Sequence, residues 1–145
     1  RKWLEIMQAY EKGGHAYHAT MPTDALARFR DTMKETEAYG FSKVREEQQE
    51  LGDKVRALLV GKGIKSVAAE GFQAPGVVVS YTDDAGIQDG KKFAEAGLQI
   101  AAGVPLRCDE PETFQTFRLG LFGLDKLHNI GRTVEFLDRG FDEIL

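Results

Sequence analysis

Residues 114–123 read FQTFRLGLFG. Phe114, Thr116 and Arg118 alternate with Gln115, Phe117 and Leu119, the period of two that marks a strand, and Gly120 and Gly123 then bend the chain. Upstream, the β-branched run VVVSY at 77–81, opened by Pro75-Gly76, is the clearest strand in the sequence. IKSVAAEGF at 64–72 and LQIAA at 98–102 are shorter apolar stretches that predict two further strands. Ile87, Phe93, Ala94 and Gly97 predict a helix between the second and third strands. A last helix is expected over about 127–141, with Leu127, Ile130, Val134, Leu137 and Phe141 on one face. Strands in pairs separated by single helices imply an α+β fold, a small and mostly antiparallel sheet with helices packed on one face.

The first half of the chain reads as three helices. KWLEIMQAYEK at 2–12 places Trp3, Ile6, Met7 and Tyr10 at helical spacing before Gly13-Gly14 closes the segment. After the connector HAYHATMPT at 15–23, Thr23 or Asp24 caps a helix that carries Ala25, Leu26, Phe29 and Met33 and ends at Tyr39-Gly40. The third runs from Ser42 to about Leu59, with Val44, Gln48, Leu51, Val55, Leu58 and Leu59 on its inner face. The charged stretch KVREEQQE within it is the solvated side of that helix.

Composition narrows the function. A chain of 145 residues suffices for one sizeable core. Nineteen Lys and Arg stand against 23 Asp and Glu, a net charge of −4, so the basic face of a nucleic-acid platform is missing. No apolar run approaches the roughly 20 residues of a membrane-spanning helix, which predicts a soluble protein with no membrane partner. The single cysteine, Cys108, excludes an internal disulfide and a Cys-rich zinc site, and fits a reducing, cytoplasmic setting. The sequence begins at Arg1 without an initiator Met or signal peptide, which suggests a piece of a longer chain.

Motifs for phosphate loops, zinc ligation and nucleophile elbows are all missing. His15 and His18 lack a third metal ligand, and Asp83, Asp84 and Asp89 lack the calcium-loop spacing, so no metal site is expected. Two segments carry potential chemistry. Arg118 sits on a strand that ends at a glycine-rich bend, where its planar fork suits bidentate capture of a carboxylate; a structural ion pair with an acidic residue is the competing reading. Tyr17 and Thr20 offer hydroxyl donors on a Pro-containing connector just ahead of a helix cap, suited to an anion such as phosphate; packing and turn roles are the alternative.

YHATMPTDALARFRDTMKE at 17–35, KVREEQQELGDKVRALLVGKGI at 43–64 and TFRLGLFG at 116–123, followed by a helix, resemble the C-terminal third of class V, fold-type I aminotransferases. The alanine–glyoxylate and serine–pyruvate group is the most similar, and the likeness covers nearly the whole chain in order and spacing. The resemblance implies that residues 1–14 are the last helix of a large domain that binds pyridoxal phosphate, and that 15–145 form the small domain closing over substrate. It implies that Arg118 binds the substrate α-carboxylate, and that Tyr17 and Thr20 reach the cofactor phosphate of the other subunit of a homodimer. The partners implied are a small amino acid (alanine, serine or aspartate) and a 2-oxo acid such as glyoxylate or pyruvate.

None of the cofactor-lysine, ring-stacking or pyridine-nitrogen regions of that family is matched here. No catalytic residue is therefore assigned, no lysine is given the Schiff-base role, and the 145 residues alone are expected to bind no cofactor and to be inactive. The segment GVPLRCDE at 103–110 departs from the glycine-rich loop that the family carries ahead of its arginine strand. Two alternatives stand beside this reading. One is a free-standing α+β module that holds a carboxylate metabolite; the other is a class V desulfurase or lyase domain, for which Cys108 would be the loop thiol.

Overall fold

The computed structural model describes all 145 residues, which divide into two units, Arg1–Ala38 and Tyr39–Leu145. The first holds α1 (Lys2–Glu11) and nearly all of α2 (Thr23–Tyr39). Both helices are amphipathic, as their periodicity predicts, but within this unit their apolar stripes stay open: Trp3, Met7 and Tyr10 on α1 and Leu26, Phe29 and Met33 on α2 are exposed. The connector between them folds back so that the His18 ring lies 6.0 Å from that of Trp3.

The second unit contains α3 (Phe41–Gly61), β1 (Val77–Tyr81), α4 (Ala85–Gln88), α5 (Lys91–Glu95), β2 (Ala101–Ala102), β3 (Thr116–Gly120), α6 (Leu124–His128) and α7 (Ile130–Ile144). Its sheet runs in the order β1-β3-β2, antiparallel throughout, with Val79 opposite Arg118 and Ala101 opposite Arg118 on the other side. This is the α+β arrangement that the sequence implies. Side chains alternate along each strand, so Val78, Ser80, Phe117 and Leu119 share one face and are buried there under the helices. Phe93 of α5, Phe117 of β3 and Phe141 of α7 meet at the centre with ring centroids 5.2–6.1 Å apart. Leu51, Val55 and Leu59 of α3 close the same core.

Several elements are shorter than their sequences suggest. The strand expected over 64–72 reduces to one bridge between Ser66 and Ser80. The Ser66 hydroxyl donates to the Ala68 carbonyl and turns the chain away before a ladder can extend. Only Ala101 and Ala102 of LQIAA pair with β3. The helix expected from Ile87 to Gly97 is two helices broken at Gly90, whose φ of +82° a helix cannot hold. Asn129 likewise separates α6 from α7, although the apolar face read for that segment does reach the core.

Two polar side chains of α3 tie down the 67–76 segment. Gln48 donates through Nε2 to the carbonyls of Pro75 and Leu121, at 3.1 and 3.3 Å. Arg56 is buried and donates through Nη2 to the Ala74 carbonyl at 2.8 Å and more weakly to that of Val77. The sequence pattern places Gln48 on the inner face but gives no signal that Arg56 is enclosed. Burial lowers the Arg56 pKa, and the nearby Asp53 charge partly offsets that.

Candidate functional site

The face of the sheet turned away from the helices carries Val79, Tyr81, Arg118 and Ala101. Arg118 stands at its centre, because β3 is the middle strand. The ion pair that composition alone favours for it does not form: no acidic side chain lies within salt-bridge distance. Its Nε–H instead donates to the Ala102 carbonyl at 2.9 Å. That bond uses the inner edge of the guanidinium and leaves both Nη nitrogens unengaged. Two parallel N–H groups presented end-on are the donor set that a carboxylate accepts in bidentate fashion. The flanking Val79 and Ala101 are apolar, so no neighbour on the adjacent strands competes for those donors. Tyr81 packs edge-on against Phe114, with ring centroids 5.7 Å apart, and forms an aromatic margin to this face.

The connector from β2 to β3 is held by its own chemistry. Gly103 donates its N–H to the Gln88 carbonyl at 3.0 Å, at the end of α4. Asp84 caps that helix by accepting from Gly86 and Ile87 at 2.8 and 3.1 Å. The hydrogen bond from Lys92 is the largest influence holding the Asp84 carboxyl below its ordinary pKa, with these two backbone donors adding to it. Further along, Glu110 accepts the N–H groups of Arg107 and Cys108, each at 2.8 Å. Those backbone donors lower its pKa to about 2. Arg107 and Asp109 adopt positive φ angles of 58° and 63° in this turn. Cys108 is exposed and contributes only its backbone N–H to the arrangement.

Tyr17 and Thr20 belong to the first unit and are exposed, Tyr17 at 74%. Neither hydroxyl makes a hydrogen bond within the chain, so both remain free to donate. His15 and His18 gain no third ligand, and no cluster of three or more His, Cys, Asp or Glu side chains is placed to hold a metal ion.

Sequence reasoning missed one constellation. The Tyr39 hydroxyl donates to Glu47 at 2.6 Å, its ring packs against that of His128 with centroids 4.5 Å apart and planes tilted by 58°, and the Lys43 ammonium sits 4.3 Å above it. The hydrogen bond to Glu47 is the main cause of a raised Tyr39 pKa. Tyr39 and Lys43 lie in different helices on either side of the break at Gly40, and His128 comes from α6, so helical periodicity carries no signal for this cluster. A separate cleft of about 240 Å³ opens where the 98–100 segment diverges from β3, with a floor that includes Leu98, Ile100, Leu119 and Leu121; Arg118 does not line it.

No protein-family model matches the chain, and no curated protein matches it. Solved structures do. Alanine–glyoxylate aminotransferase from Nostoc sp. superposes on 95% of this chain with a TM-score of 0.65 at 13% identity. Ureidoglycine–glyoxylate aminotransferase from Bacillus subtilis covers 97% with a TM-score of 0.64 at 17% identity. Aspartate aminotransferase of subgroup IV from Thermus thermophilus covers 99% with a TM-score of 0.59 at 17% identity. The chain has the fold of an aminotransferase C-terminal domain, and it spans only 36–39% of the length of these three proteins.

Proposed function

We propose that these residues form the C-terminal small domain of a pyridoxal-phosphate-dependent aminotransferase of class V, and that Arg118 is its substrate-carboxylate clamp. The observation that carries this reading is the unpaired, backbone-anchored guanidinium at the centre of the open sheet face, in a fold shared with three aminotransferases. Residues 1–14 are then the last helix of the cofactor-binding domain, and 15–145 the small domain.

The residues present fit two ends of the reaction and not its middle. The free hydroxyls of Tyr17 and Thr20 suit the cofactor phosphate, held across a homodimer interface. Arg118 suits the substrate carboxylate. The imine chemistry needs a lysine in an enclosed site; no lysine here is fully buried, and the partly buried Lys62 is engaged by Asp138 and Asp142. Pyridoxal phosphate, when bound, supplies an electron sink for the α-carbon of the amino acid. The work left to this chain is orientation. A two-point hold on the carboxylate fixes rotation about the bond to the α-carbon, which aligns the reacting bond before any proton moves.

The flanking Val79 and Ala101 favour a small, uncharged amino acid as donor, with alanine transferring to glyoxylate, or serine to glyoxylate or pyruvate. Alanine and glyoxylate supplied to the full chain that carries these residues should yield pyruvate and glycine in equal amounts. Failure of every small amino acid to transfer its amino group would reject the reading.

A further inference from the structure

Arg118 is anchored through a single backbone carbonyl, so whatever fixes that carbonyl fixes the clamp. The carbonyl belongs to Ala102, the last residue of a two-residue strand, where little ladder remains to hold it. The next residue is Gly103. A Cβ at Gly103 would overlap the Thr116 carbonyl oxygen and approach the Thr116 Oγ1 to 2.7 Å. The backbone of Gly103 therefore lies directly on β3, two residues before Arg118. Its φ is not in the left-handed region, so the requirement is for space and not for conformation. On the other side its N–H is bonded to Gln88 of the Asp84-capped helix α4, which prevents the peptide from lifting off the sheet.

We infer that Gly103 is a positioning residue for Arg118: by packing its backbone on Thr116 while bonded to Gln88, it sets the Ala102 carbonyl that aims the guanidinium. The inference rests on the proposed role of Arg118 for its functional meaning. Any side chain at 103 must push the 102–103 peptide away from β3, and the carbonyl that Arg118 uses moves with it. The downstream loop, from Val104 to the turn organised by Glu110, is outside this restraint.

The test is made on the full chain. Nitrogen-15 NMR should show the Arg118 Nε–H protected from solvent exchange in the wild type. Gly103→Ala should remove that protection and raise the KM for alanine by about tenfold, with a smaller change in kcat. Inserting a glycine after Pro105 should leave both unchanged; this variant keeps the test open if Gly103→Ala does not fold. A wild-type Nε–H without protection, a Gly103→Ala variant that keeps protection and affinity, or loss of protection on the insertion would each overturn the inference. Arg118→Lys separates the two readings. If it leaves alanine binding intact while Gly103→Ala still deprotects Nε–H, the clamp role fails and the positioning stands.

Discussion

Arg118 donates its Nε–H to the Ala102 carbonyl at 2.9 Å and pairs with no carboxylate, so the strand next to it orients the guanidinium without neutralising it. An arginine held this way keeps its full charge and its two outer donors for a ligand. A surface ion pair would have consumed both for a stabilisation of about 1 kcal/mol or less.

The three-phenylalanine centre should dominate stability. Phe93, Phe117 and Phe141 are each no more than 1% exposed, and none can be truncated without leaving a void. Phe117→Ala or Phe141→Ala should cost about 3–5 kcal/mol, measured by urea unfolding. A loss under about 1 kcal/mol would mean that the centre is not packed as described.

Arg56 should matter for stability more than its charge suggests. It supplies donors to two loop carbonyls from a buried position. Arg56→Ala leaves both without that donor and should cost about 2 kcal/mol in the same unfolding assay. Arg45→Ala, on the exposed side of the same helix, should be close to neutral.

The turn at 106–110 should loosen only in strong acid. The Glu110 carboxyl is depressed from its ordinary 4.5 to about 2 by the N–H groups it accepts. A depressed folded pKa means the contribution is complete above about 4.5 and fades as pH falls toward 2. The protection factors of the Arg107 and Cys108 amides, exchange rates divided out by the intrinsic rate at each pH, should therefore be high at neutral pH and fall through that window. Glu110→Gln should speed exchange at neutral pH and flatten the pH dependence.

Tyr17 and Thr20 should affect cofactor retention, not folding. Both side chains are exposed and make no hydrogen bond within the chain, so Tyr17→Phe with Thr20→Ala should leave the melting temperature unchanged. In the full chain the double variant should lose bound pyridoxal phosphate faster on dialysis, followed by its absorbance. Equal retention would remove the phosphate role.

The two elements that define the fold were legible because their patterns are local. VVVSY and TFRLG have β-branched and alternating side chains, and they pair in register as β1 and β3. The helix breaks at Gly90 and Asn129 leave no such mark, because a periodic apolar face continues across each of them. The strand at 64–72 failed for a subtler reason: the Ser66 hydroxyl competes for backbone, which periodicity does not register. At the site, Arg118 was identifiable from its residue type and its place on a strand. Its anchor was not, since the bond to Ala102 joins residues 16 apart through a main-chain atom that every sequence carries. The Gly103 contact is equally silent, because only the tertiary structure shows how near Thr116 lies.

The carboxylate clamp is tested most directly by steady-state transamination of alanine with glyoxylate in the full chain, comparing wild type with Arg118→Lys. Lysine keeps the charge and loses the planar fork, so kcat/KM for alanine should fall about 100-fold, mostly through KM. An unchanged kcat/KM for alanine would contradict the assignment of Arg118 as the substrate clamp.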